Sequence, residues 1–261
     1  MIYLFLEKIR ERVACARLEC NMFKIKIADI VVSIENVYKY VEYVCKDYIY
    51  DGEECDFSVK SSVELINEER QKVSDENLFS DAFVENILIY RMICLNLLKY
   101  DAFVMHAAVI GVGDKAYAFT AKSGTGKSTH ISLWKRLLGD KVYVINGDKP
   151  IMRFIGDKLF VYGTPWCGKE MWNTNVKAEL ANLCFLERGD VNEIESLSPG
   201  ESVSLVMKQI LIPKDSFGVI KTFDLVDKML RRVALWKLKC NISLEAAVVA
   251  YEKMRGEQNE N

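Results

Sequence analysis

The chain has only two histidines, and none of its eight cysteines stands in a C-x-x-C pair. A zinc cluster needs closely spaced ligands of those types, so that class is excluded. Charge of one sign is missing too, because 35 basic against 37 acidic residues leave a net charge of −2. Without a one-signed field, neither nucleic acid nor a membrane surface is an expected partner. No apolar run reaches spanning length, and the stretch 86–98 is interrupted by Arg91. Met1 to Leu6 is apolar, but Glu7, Lys8, Arg10, Glu11 and Arg12 follow at once. That is too short for the core of a signal peptide. The expectation is a soluble cytoplasmic protein with reduced thiols, in which Cys94 and Cys184 act as small core residues.

Half of the 261 residues are hydrophobic, which suffices for one large domain or two small ones. Residues 1–80 read as a small antiparallel α+β module. Alternation over 22–34 predicts two strands around Ala28-Asp29, with further strands at 40–44 and 57–59. The polar stretch 65–78 reads as a solvated connector. Residues 81–261 read as an α/β domain. It opens with a helix over 83–100 and continues with buried strands at 103–110, 116–120 and 142–145. A strand pair over 151–162 and a strand at 181–187 come next. The remainder is helices at 201–211 and 219–232, a strand at 234–239, a helix at 244–254 and a polar tail.

The most informative segment is Ala121-Lys122-Ser123-Gly124-Thr125-Gly126-Lys127-Ser128-Thr129. It matches G-x-x-x-x-G-K-[ST] except that Ala121 stands at the first glycine. Gly124 and Gly126 let backbone N–H groups turn inward as an anion nest. Lys127 can reach the β- and γ-phosphates, and the Ser128 hydroxyl can ligate Mg²⁺. An apolar strand precedes the loop and a helical pattern follows it, as a phosphate site at a helix N-terminus requires.

Such a loop needs a carboxylate for the metal, and Asp148, just after the strand 142–145, is the candidate. The segment Tyr162–Lys169 is punctuated by Gly and Pro. Either it covers a nucleotide or acceptor, with Lys169 neutralising phosphate, or it is a structural turn with a buried Trp166. His106, after the apolar run Phe103-Val104-Met105, reads equally as a core residue.

Taken in order, Met105–Ala108, Phe119–Trp134, Ile145–Pro150 (INGDKP), Gly163–Lys169 (GTPWCGK), Leu183–Arg188 and Leu235–Ala247 resemble the HPr kinase/phosphorylase and PEP carboxykinase superfamily. The likeness is to its small HPr-kinase-like members and covers roughly residues 84–250. It implies a P-loop core of that type, with ATP phosphates on Ser123, Gly124, Thr125, Gly126, Lys127, Ser128 and Thr129. It also implies Mg²⁺ on Ser128 and Asp148, and His106 beside the active site. The family shows two adjacent aspartates, one for metal and one as base toward the acceptor. Here the pair reads Gly147-Asp148, which leaves Asp148 one task and Asn146, water or substrate the other. The Mn²⁺ ligands of the carboxykinases and the phosphorylase signature loop are not found.

The resemblance thus implies an ATP-dependent kinase acting on a serine-type hydroxyl of a peptide or small molecule. Asp148, Lys127 and His106 would be catalytic, and Lys169 would lie on the nucleotide and acceptor. Relatives assemble, so a homo-oligomer is within the expectation. The alternatives are a catalytically weak ATP-binding regulatory or scaffold module and, third, an NTP hydrolase.

Overall fold

The computed structural model describes residues 17–72 and 79–256. The N-terminal run Met1–Leu6, the last part of the connector at 73–78 and the tail at 257–261 lie outside the described residues. The chain divides into two compact units, Met1–Leu97 and Leu98–Asn261.

In the first unit, β1 (Arg17–Ile27) and β2 (Ile30–Tyr38) form the expected hairpin. Its two turn residues, Ala28 and Asp29, have φ of 51° and 56°. That double left-handed conformation matches the twist of the flanking strands. The segment expected as a third strand is instead a short helix, α1 (Tyr40–Val44). It buries Tyr40 and Val41, and Tyr40 packs with Ala82 and Phe83. A five-residue segment is too short to show a period of its own, so tertiary packing decides.

β3 (Phe57–Lys60) pairs parallel to β2, which corrects the purely antiparallel expectation. Much of the expected connector is α2 (Val63–Arg70), capped by the Ser62 hydroxyl accepting from Leu65 N. Its polar composition hides one buried apolar side chain, Ile66, packed with Val84 and Leu88. The expected long helix is α3 (Asp81–Leu97), and it groups with this first unit.

The second unit is mixed α/β. The apolar run 103–110 is not one strand but two, β4 (Ala102–Val104) and β5 (Ala108–Val112). β6 (Lys115–Thr120) leads through the glycine loop into α4 (Lys127–Leu138). β7 (Val142–Asn146), β8 (Ile151–Ile155), β9 (Lys158–Tyr162) and β10 (Lys177–Arg188) follow. Next come β11 (Glu193–Ser196), α5 (Pro199–Met207), α6 (Ser216–Leu230), β12 (Ala234–Cys240) and α7 (Leu244–Gly256). β11 was not expected, because it is a polar edge strand without alternation.

The mixed sheet runs β4-β8-β9-β10-β6-β5-β7. β10 is parallel to β6 along one edge. Its other edge is shared, with residues 177–179 paired to β9 and 182–188 paired to β12. Alternation sends side chains to two cores. Val109, Ala118, Leu183 and Leu235 join one of them with Leu225, Val226 and Met229 of α6. Ile110, Phe119, Cys184 and Trp236 join the other with Trp134 of α4 and Ala247 of α7. Cys94 and Cys184 are buried free thiols, as expected. Among the described residues no helix is long and apolar enough to cross a membrane.

Candidate functional site

The glycine loop joins the C-terminal end of β6 to the start of α4, so the first backbone amides of that helix are left for a ligand. Gly124 and Gly126 have φ of 78° and 127°, conformations closed to ordinary L-residues. Ala121 shows no positive φ and sits buried against the α4 core, so glycine is not required there. Arg188, at the end of β10, donates Nη2 to the Gly124 carbonyl (2.5 Å) and Nε to that of Thr125 (3.3 Å). Thr125 donates its hydroxyl back to Lys122 O at 2.7 Å. Loop carbonyls are therefore engaged by the protein.

His106 lies in the break between β4 and β5. Its N–H donates to Gln209 O (2.7 Å), and its carbonyl accepts from the Thr120 hydroxyl (2.8 Å). The following Ala107 N donates to Asp148 O at 3.0 Å. Lifting residues 105–107 out of the strand ladder is what brings the ring beside the loop. Asp148 sits on a turn built by Asn146, whose Oδ1 accepts from Asp148 N (2.8 Å) and Lys149 N (2.7 Å). The Asn146 Nδ2 donates to Thr164 O and Oγ1 at 3.1 and 3.0 Å. Asn146 is fully buried with both ends of its amide engaged, so it is not a substitute acid.

Three side chains from distant segments meet here. Lys127 Nζ lies 2.9 Å from His106 Nε2, and that nitrogen lies 3.1 Å from Asp148 Oδ1. Nε2 can serve only one neighbour at a time. It accepts from Lys127 when the ring proton is on Nδ1 and donates to Asp148 when the proton is on Nε2. Gln209 Oε1, 3.1 Å from Nδ1, can present either end of its amide to match.

Burial pushes the Lys127 ammonium below its ordinary value, against the charges of Asp148 and Glu170. Burial is also the largest influence on Asp148, acting upward. The hydrogen bond and charge of His106, with the charges of Lys149 and Lys127, outweigh it, and the carboxyl is held below its usual range. These residues line a cleft of about 480 Å³ together with Ser123, Gly124, Gly126, Ser128, Thr129, Lys169 and Glu170. Lys169 is largely exposed, with Glu170 Oε1 3.9 Å away.

Gly147 also lines the cleft, but no side chain fits on it. A Cβ there would lie 2.8 Å from the Cys167 carbonyl oxygen and 3.4 Å from Trp172 Cβ. The Gly147 N–H also donates to Trp172 O at 2.8 Å. The position expected to carry a second acid is thus closed by backbone.

The chain matches no family model and no curated protein sequence. Among solved structures it is similar to the HPr(Ser) kinase/phosphatase from Coxiella burnetii, at 9% identity and a TM-score of 0.35, over 60% of this chain and 99% of that one. A likeness this slight carries no functional argument.

The sequence reading missed Gln209, Arg188 and Thr164. Arg188 and Gln209 lie 60 or more residues from the loop atoms or ring they touch, and nothing local marks them. Of the three alternatives for the second task, Asn146, water or substrate, the structure gives Asn146 a different use, holding the turn that carries Asp148.

Magnesium and a nucleoside triphosphate fit the donor set. Among the described residues no three His, Cys, Asp or Glu converge on one metal position. A magnesium bound partly through phosphates needs only one or two protein ligands, and the Ser128 hydroxyl and Asp148 carboxylate share the cleft.

Proposed function

We propose that the second unit is an ATP-dependent phosphotransferase acting on a hydroxyl of a peptide or small molecule. The observation that carries this reading is the meeting of Lys127, His106 and Asp148 in one cleft against the glycine loop. Loop amides from Ser123 to Thr129 hold the phosphates, and Lys127 leaves His106 to bind the terminal phosphoryl oxygens. Its partial burial strengthens that contact, because fewer waters compete for the ammonium. Ser128 and Asp148 would hold Mg²⁺, which supplies charge neutralisation on the phosphates. Once Lys127 has moved, His106 Nε2–H donates to Asp148 and fixes the carboxylate's orientation. The same carboxylate would also orient the acceptor hydroxyl and take its proton, so that Asp148 serves metal and acceptor together. Lys169, at the mouth, adds positive charge for the anionic ligand.

A second reading has its own support. The closed space at Gly147 removes the neighbouring acid of the family's aspartate pair, which favours a nucleotide-binding module with weak turnover. Incubation with γ-labelled ATP, Mg²⁺ and a panel of peptide and small-molecule hydroxyls separates the two. The kinase transfers label, and Asp148→Asn lowers transfer by about 10²–10⁴-fold. ATP binding with no transfer to any acceptor rejects the kinase in favour of the module.

A further inference from the structure

The turn Gly168–Met171 brings a second carboxylate into the cleft, one with no task in the reaction so far. Met171 N donates to Gly168 O at 3.2 Å, which makes Lys169 and Glu170 the two central residues of the turn. Met171 closes it with φ of 54°, a backbone state that is costly for a residue other than glycine and that gathers at functional sites. The turn is held against Asp148. A Cβ placed on Gly168 would lie 3.1 Å from Asp148 Cβ, and just beyond the turn the Trp172 carbonyl accepts from Gly147 N. The two central side chains part company. The Lys169 side chain is 78% exposed, whereas that of Glu170 is only 23% exposed and lines the cleft with Lys127, Ser128 and Asp148.

A carboxylate on the wall of a phosphate site repels the ligand, so its presence there needs a reason. The cations that could offset it are engaged elsewhere. Lys169 Nζ lies 3.9 Å from Oε1, beyond hydrogen-bond range and screened by water. Lys127, whose ammonium the Glu170 charge favours, passes to the phosphoryl oxygens when the nucleotide binds. Mg²⁺ goes to Ser128 and Asp148. With the nucleotide seated, Glu170 is left partly desolvated beside a polyanion, and the reactant still to arrive is the acceptor.

We propose that Glu170 selects the acceptor by charge, receiving an ammonium or guanidinium group that the acceptor carries near its hydroxyl. The inference rests on the kinase reading given above and names a substrate class for it, a cationic hydroxyl compound. The cation can belong to an amino alcohol or to a basic residue close to the serine-type hydroxyl of a peptide. The pairing both attracts and rejects, because a neutral or acidic acceptor leaves the carboxylate unpaired against the triphosphate.

The test is phosphoryl transfer from γ-labelled Mg·ATP by the full chain to two matched acceptor series. One is a set of seryl peptides of a single sequence in which Lys, Gln or Glu is placed in turn at each position flanking the serine. The other is 2-aminoethanol, ethylene glycol and glycolate. In at least one series the basic member is expected to show a kcat/KM about tenfold or more above its neutral and acidic counterparts, and the series that responds identifies the source of the cation. Glu170→Gln should level the basic and neutral members, and Glu170→Lys should reverse the order in favour of the acidic one. Mere loosening of the turn lowers all members alike and produces no reversal. If neutral or acidic members serve wild type as well as basic ones, or if the basic preference survives in Glu170→Lys, Glu170 does not read the acceptor and the kinase reading stands. If ATP binds and no member of either series is labelled, the kinase reading fails and takes this inference with it.

Discussion

Asn146 and Gly147 show how two small residues decide what the neighbouring acid can do. Asn146 has no contact with the cleft, yet its amide satisfies two backbone donors and meets Thr164. Asn146→Ala strands those buried groups and should cost about 2–3 kcal/mol of stability in urea denaturation, with a larger proportional loss of any transferase activity. Gly147→Asp looks like a restoration by sequence alone. The space around it says otherwise, and the variant should unfold at lower temperature than wild type with no gain in phosphoryl transfer. Lys127→Ala should weaken Mg·ATP binding by about 2 kcal/mol, roughly thirtyfold, in calorimetric titration. At this scale the sequence singled out candidates by residue type and spacing, such as Lys127 in its glycine frame. It hid residues whose job is defined by a distant neighbour, such as Gln209 and Arg188.

Among the elements, those with a clear period or a strong turn were legible. The hairpin at Ala28-Asp29, the strands β6 and β7 and the helix α4 fall where alternation, apolar runs and glycine stops put them. α1 was too short to show a period, α2 too polar to show its face, and β11 too exposed to alternate. The split between β4 and β5 was hidden because residues 105–107 are as apolar as the strands around them, apart from His106. α5 is anchored by a capping box in which the Ser198 hydroxyl accepts from Glu201 N while the Glu201 carboxylate accepts from Ser198 N. Ser198→Ala should lower stability by about 1 kcal/mol in denaturant titration. α5 leads directly to Gln209, so the same variant reports whether that helix end steadies the His106 ring.

At the scale of the whole molecule, stability carries a pH dependence that originates in one buried carboxyl. In the first unit Glu85 is fully buried, accepting from Val37 N, Tyr38 N and the Ser61 hydroxyl. Burial raises its pKa against the pull of those hydrogen bonds. A carboxyl raised in the folded state holds its proton more tightly there than in the unfolded chain. Its contribution is therefore complete below the ordinary value of 4.5 and is lost as pH rises through the folded value. Wild type should lose stability over that window, and Glu85→Gln should not, in thermal unfolding followed from pH 4 to pH 8.

The close approach of Gly147 to Cys167 and Trp172 has a consequence for how such a chain can change. An acid at 147 requires the backbone opposite to follow a different path, so the two segments are locked into joint variation. A library that randomises 147 alone should return glycine and little else. One that randomises 147 together with 167–172, including changes of loop length, is where a two-carboxylate descendant could be found.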